Sequence, residues 1–200
     1  MAFDFIPCPI QGLWEIQPKV FGDARGYVLE SYSEKDFFAA GLTMRFVQDN
    51  QSASRGGVLR GLHWQTRHPQ GKLVRALQGS VYDVAVDLRN GSPTFGRYHG
   101  VLLDGERQNM FYIPEGFAHG FYVLTDFAVF SYKCTDFYHP EDEAGLMWND
   151  PEIAIDWNAA GPAKQPLLSE KDQRHPAFNR NRRYFDMNGR WIGGESGDTP

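Results

Sequence analysis

Three short segments hold imidazole, phenol and ammonium side chains, the groups that donate and accept protons near neutral pH. The first, GVLRGLHWQ over 57–65, sets His63 within an otherwise apolar stretch. Lys72 follows on the next apolar stretch, after a turn through RHPQG at 67–71. The second, PEGFAHG over 114–120, brackets a turn with Pro114 and Gly116, and His119 is expected to open the strand that follows. In the third, FSYK over 130–133, strand alternation gives Tyr132 a face shared with Ala128, Phe130 and Cys134, while Lys133 shares the other with Val129 and Ser131. A tyrosine turned into an aromatic interior needs a partner for its hydroxyl, and a site inside the fold would supply one. Each residue alone also fits a structural role: a satisfied strand histidine or a solvated lysine.

Other chemistries find less support. A metal centre needs about three or four convergent histidine or carboxylate groups. Trp64 and Gln65 follow His63, so no His-x-His pair exists, His68 falls in a loop, and His63 with His119 leaves a metal short of ligands. There is no Gly-x-Ser-x-Gly elbow, no phosphate-binding P-loop and no dinucleotide fingerprint. Cys8 and Cys134 match no metal or redox spacing and read as reduced thiols. A formal net charge of −5 argues against a nucleic-acid partner. No apolar run approaches the roughly 18 residues that span a bilayer. The opening MAFDFIPCPIQG has no basic flank and is broken by Pro7 and Pro9, so a cytoplasmic protein is expected.

The elements that must position these groups are mostly strands. Short apolar runs separated by Gly, Pro, Asn and Asp predict strands at 13–17, 27–33, 46–50, 58–65, 72–77, 80–88, 96–103, 109–113, 120–124 and 127–135. One helix is predicted over 34–40, with Ser33 and Asp36 as a capping pair and Gly41 as the terminator. In 80–88, Tyr82, Val84, Val86 and Leu88 make one apolar face. Val81, Asp83, Ala85 and Asp87 make a small acidic one, read as facing solvent or, less favourably, a polar interior. Arg60 and His63, three apart, fall on opposite faces of a regular strand unless Gly61 permits a bulge. The Gly-rich end, 188–200, reads as a surface extension. Two hundred residues of this composition suit one all-β domain, a sandwich or barrel.

Taken in order, GVLRGLHWQ, QGKLVRALQGSVYDVAVDLR, SPTFG, PEGFAHGF, YKCTDFYHPEDEAGLMWNDP and LSEKD closely resemble the dTDP-4-dehydrorhamnose 3,5-epimerase family, from about Phe3 to Pro176. The resemblance implies a cupin-like jelly-roll barrel with one or a few short helices. It implies a single domain over 1–176 and a C-terminal extension over 177–200. The implied reaction is cofactor-independent and metal-independent epimerisation, on both sides of the ketone, of a dTDP-4-keto-6-deoxyhexose. A 3-epimerase or a ketoisomerase acting on a related dTDP-sugar is the nearest alternative. A metal-dependent cupin oxygenase and a catalytically silent nucleotide-sugar-binding module are the readings from other classes.

By resemblance His63 is the base, Asp172 its carboxylate partner, Tyr132 the acid on the opposite face and Lys72 the cation beside the enolate oxygen. Asp83 competes with Asp172 for His63. Arg25 and Arg60 match diphosphate contacts, and Tyr138 matches the aromatic that stacks on thymine. Phe21, Glu30, Gln48, Asn50, His119, Glu143 and Lys171 match further substrate contacts. Family members are dimers that share N-terminal strands, so Arg25, Glu30 and Arg60 are candidates to serve the partner's pocket.

Overall fold

The computed structural model describes residues 2–161 and 165–194. Thirteen strands run in chain order among them: β1 (Phe3–Pro7), β2 (Trp14–Pro18), β3 (Val20–Asp23), β4 (Gly26–Leu29), β5 (Gln48–Arg55), β6 (Leu59–Gln65), β7 (Lys72–Gln78), β8 (Ser80–Asp87), β9 (Tyr98–Asp104), β10 (Met110–Ile113), β11 (Phe117–Val123), β12 (Phe127–Cys134) and β13 (Glu143–Gly145). Two sheets face each other. One is ordered β1-β2-β10-β7-β12-β5 and the other β13-β6-β11-β8-β9, with antiparallel pairing throughout. The expected all-β architecture is what the chain adopts.

Three apolar layers follow from strand alternation. Val74, Ala76, Val81, Ala85, Val101, Phe111, Phe121 and Phe130, from both sheets, meet in the interior. On the outside of the six-stranded sheet, Phe3, Ile16, Leu73 and Met110 are covered by the α-helix α1 (Glu34–Ala39). Its cap is the expected one: Ser33 Oγ accepts from the Asp36 amide at 3.4 Å. Phe37 is fully buried, edge-on to Phe3 and Phe5 at 5.4 and 5.1 Å. On the outside of the five-stranded sheet, Leu59, Leu62, Trp64, Tyr82, Val84 and Val86 are covered by Ile153, Trp157, Phe178, Tyr184 and Phe185. Part of the stretch expected as an extension therefore closes this layer, each buried aromatic contributing about 1.5–3 kcal/mol. Within the Gly-rich end, Trp191 packs against the same layer, and 195–200 lie outside the described residues.

That cover corrects the reading of β8. Its apolar face meets the C-terminal layer, so its acidic face turns inward rather than to solvent, and Asp83 and Asp87 are both fully buried. Asp87 is satisfied by Arg89, Ser92 and Thr94. β5 also runs further than expected. Its QDNQSASR sequence has no apolar period, yet it pairs with β12 along its whole length. The parity conflict between Arg60 and His63 is resolved by a bulge. His63 pairs with His119 and Arg60 with Phe121, so two residues of β6 oppose Gly120 alone. Leu59, Leu62 and Trp64 thereby stay in the outer layer, and Arg60 and His63 share the inner face. Gly61 has φ +131°, and a Cβ on it would lie 2.5 Å from Gly120 Cα, so the bulge requires glycine. His119 is the third residue of β11, which starts earlier than expected, at Phe117.

Candidate active site

The inner faces of β6, β7, β8, β11 and β12 bring a cluster of polar side chains together between the two sheets. His63 Nε2 lies 2.5 Å from Asp172 Oδ1. Asp172 opens a 3-10 turn (Asp172–Arg174), and its amide donates to Ser169 Oγ at 3.1 Å. A carboxylate can only accept from this nitrogen, so Nε2 carries the proton and Nδ1 keeps the free lone pair. Burial pushes the Asp172 carboxyl up, but His175, His63 and Ser169 outweigh it and hold it well below the usual carboxylate range. Asp83 pairs with His119 instead, Nε2 to its two oxygens at 3.0 and 2.9 Å. The competition for His63 is thus settled in favour of Asp172. His63 and His119 are cross-strand partners, which sets two His–Asp pairs side by side.

Facing them on the other sheet are Lys72 and Tyr132. Lys72 shares the inward face of β7 with Val74 and Ala76, and Tyr132 shares that of β12 with Ala128 and Phe130, as strand alternation predicts. Burial pushes the Lys72 ammonium down, against the opposing pull of Cys134, Asp83 and Glu143. Burial raises the Tyr132 phenol, Cys134 and Glu143 add to the rise, and Arg60 opposes it. Arg60 crosses between the sheets, its Nε and Nη2 donating to Ser54 Oγ on β5 at 3.2 and 3.0 Å.

A hydrogen-bonded chain runs from Cys134 out to the exposed Tyr138. Asn50 Nδ2 donates to Cys134 Sγ at 3.6 Å, Gln48 Nε2 to Asn50 Oδ1 at 3.0 Å, and the Tyr138 amide to Gln48 Oε1 at 2.9 Å. Tyr138 Oη donates to Glu143 Oε2 at 2.7 Å, and Lys171 Nζ reaches the same oxygen at 2.7 Å. Those two bonds outweigh burial and hold Glu143 low, while the Glu143 bond pushes Tyr138 up to about 12. Buried Gln65 fixes the segment that presents Tyr138: its Nε2 donates to the Phe137 carbonyl, and its Oε1 accepts from the His139 amide.

Phe21, Arg25 and Glu30 are not brought to this cluster. The β3–β4 hairpin pairs with neither main sheet. Phe21 is 62 % exposed, Glu30 is exposed and the Arg25 guanidinium is held by Asp23. Two groupings escaped the sequence reading. His63, Asp172 and His175 place three possible ligand atoms within 4.8 Å, as do His68, His139 and Asp142. In the first, the carboxylate oxygen is already shared between imidazoles. In the second, Arg67 Nε occupies Asp142 at 2.5 Å and the two imidazoles stack face to face at 3.9 Å, so their lone pairs do not converge. His175 carries no periodic signal. Only its spacing of three from Asp172 could have drawn attention to it.

A family model described as dTDP-4-dehydrorhamnose 3,5-epimerase matches residues 7–180. A protein of that name from Pseudomonas aeruginosa is 56 % identical over 163 residues, 81 % of this chain and 88 % of that protein. One from Methanothermobacter thermautotrophicus is 48 % identical over 183 residues, 92 % and 98 % of the two chains. The crystal structure of a dTDP-6-deoxy-D-glucose-3,5-epimerase from Legionella pneumophila, in complex with dTDP-4-keto-L-rhamnose, superposes with a TM-score of 0.84 at 52 % identity, covering 88 % of this chain and 92 % of that one.

Proposed function

The chain belongs to the dTDP-4-dehydrorhamnose 3,5-epimerase family, and we propose that this cluster inverts C3 and C5 of dTDP-4-dehydro-6-deoxy-D-glucose to give dTDP-4-dehydro-L-rhamnose by proton transfer alone. The C4 ketone acidifies the hydrogens on both neighbouring carbons. His63 Nδ1 takes one of them, the C–H electron pair moves into the ring, and negative charge collects on the C4 oxygen. Asp172 stabilises the imidazolium through Nε2–H. The Lys72 ammonium stands for the charge on oxygen. Tyr132 returns a proton from the other face, and solvent restores both residues before the second carbon is processed.

At the nucleotide end, Tyr138 stacks on thymine, and Arg60 takes the diphosphate through its guanidinium fork. Gln48, Asn50, His119, Glu143 and Lys171 orient the sugar and nucleotide. One observation carries this reading: His63 is the cross-strand neighbour of His119, whose ring centroid lies 6.3 Å from that of Phe130, itself 6.1 Å from Tyr132 on the opposite sheet, where β7 places Lys72 beside Cys134 of the same strand as Tyr132.

The test is incubation with dTDP-4-keto-6-deoxyglucose in deuterium oxide, followed by NMR of the product. Deuterium at both C3 and C5 with inverted configuration is expected. Label at C3 alone would reduce the activity to a 3-epimerase, and no label would overturn the reading.

The exposed hairpin supports a further part of the proposal. Phe21 and Val28, 62 % and 67 % exposed, leave apolar surface that a second copy would cover. A homodimer would then bring Phe21, Arg25 and Glu30 to the partner's site. Sedimentation as a particle of twice 22.8 kDa is expected; a monomer at micromolar concentration would remove those three residues from the site. No helix among the described residues is long and apolar enough to cross a membrane. The free thiols Cys8 and Cys134 suit a cytoplasmic location, and recovery with the membrane fraction would contradict it.

A further inference from the structure

We propose that His175 is a positioning residue for the proton-transfer pair, holding the Asp172 carboxylate and the His63 ring in their working orientation. The inference rests on the reading of His63 as the base. His175 directly follows the 3-10 turn, where the backbone returns to extended geometry (φ −62°, ψ 142°). The i, i+3 spacing places its ring over the same side of the turn as Asp172. Its side chain is only 9 % exposed, and Nε2 lies 3.5 Å from Asp172 Oδ1, the oxygen that also accepts from His63. At that distance the interaction is a long, mainly electrostatic one. Among the described residues this nitrogen has no closer partner. The imidazole stands edge-on to that of His63, with centroids 5.4 Å apart and planes at 71°.

The surroundings hold His175 there. Gly145, the register partner of His63 on β13, has no side chain, and a Cβ on it would lie 2.3–2.5 Å from atoms of the His175 ring. The next residue is tied to the segment that follows β13, with the Met147 amide donating to the Pro176 carbonyl at 2.8 Å. A ring wanted only for packing would be apolar, because a buried nitrogen without a good partner costs free energy. Here that nitrogen points at the one carboxylate that orients the base. His175 therefore does two things: its ring edge limits rotation of the His63 imidazole, and its nitrogen fixes which way Asp172 Oδ1 faces. Small misplacements of a reacting group cost up to about a hundredfold in rate, so a brace of this kind acts on turnover and leaves the nucleotide end of the site untouched.

Two variants separate the nitrogen from the ring. His175→Phe keeps the ring, and His175→Gln keeps an N–H near the position of Nε2. His175→Phe is expected to lower kcat by about tenfold with KM unchanged, and His175→Gln to recover most of that loss. Independently of turnover, the His63 Nε2–H proton is expected as a downfield NMR signal protected from solvent in the wild type and the Gln variant, and broadened in the Phe variant. Wild-type kcat and an unchanged signal in His175→Phe would overturn the proposal. So would equal losses in both variants accompanied by a raised KM, which would mean a structural role only. Should the Phe variant fail to fold, the Gln variant decides: kcat near wild type with the signal retained supports the assignment, and loss of both sinks it. A wild-type enzyme that incorporates no deuterium overturns the functional reading instead, while the NMR signal still judges the brace.

Discussion

Replacement of His63 by alanine is expected to abolish deuterium incorporation at both C3 and C5, with a loss of turnover of about 10³-fold or more. Two His–Asp pairs stand side by side in the site, and exposure separates their roles. The His63 side chain is 26 % exposed and that of His119 is 10 %. A base must reach a C–H bond of a substrate entering from solvent, and His63 is the more accessible of the two. Asp172 holds Nε2–H, so the free lone pair on Nδ1 is available for that hydrogen. His119 is braced by both oxygens of a buried carboxylate and lies beside Phe130, the setting of a fixed hydrogen-bonding group. His119→Ala is accordingly expected to weaken substrate binding more than exchange. The informative measurement is label at each carbon separately. If His63→Ala still exchanges one of the two positions, His119 serves that carbon and the single-base mechanism fails. Full exchange at both would remove His63 from the reaction altogether.

The parts of this site legible in the sequence are those that obey strand alternation. Tyr132 follows a period of two along β12, and the structure places it on the inner face, where Lys72 of β7 joins it. Arg60 and His63 break that period. Their shared face depends on one extra residue at Gly61, which the glycine permits but does not announce. The choice between Asp172 and Asp83 was closed to local reasoning because His63 and Asp172 are 109 positions apart and meet through a 3-10 turn. Its own strand leaves Asp83 facing either solvent or a polar interior. Whether its other face is covered depends on Trp157, Phe178 and Tyr184, far along the chain. Polar β5 shows no apolar period and becomes a strand because β12 offers it a partner, so pairing outweighs intrinsic preference. The hairpin residues Phe21, Arg25 and Glu30 are the opposite case. They were singled out by resemblance, and a single chain leaves them outside the cluster.

The second large effect concerns charge rather than proton transfer. Lys72→Met is expected to lower kcat by about 10²–10³-fold, the usual consequence of removing one preorganised group from a developing oxyanion. The chain pays for that group, since burial disfavours the ammonium and lowers its pKa below the ordinary lysine value of about 10.4. Asp83 and Glu143 keep the loss in check. The sign then fixes the alkaline side of the pH–rate profile. The cation is the active form and its pKa is lowered, so turnover falls as pH rises through a value below about 10.4. Burial moves the Tyr132 phenol the other way, above its ordinary value of about 10, so its loss of a proton is displaced away from that of Lys72. Lys72→Arg supplies the discriminating case. A guanidinium stays charged beyond about pH 12, so whatever turnover this variant retains is expected to show no alkaline fall across the range where the wild type loses activity. An alkaline limb in Lys72→Arg that coincides with the wild type would assign the titration to another group and leave the enolate oxygen without its proposed counter-charge.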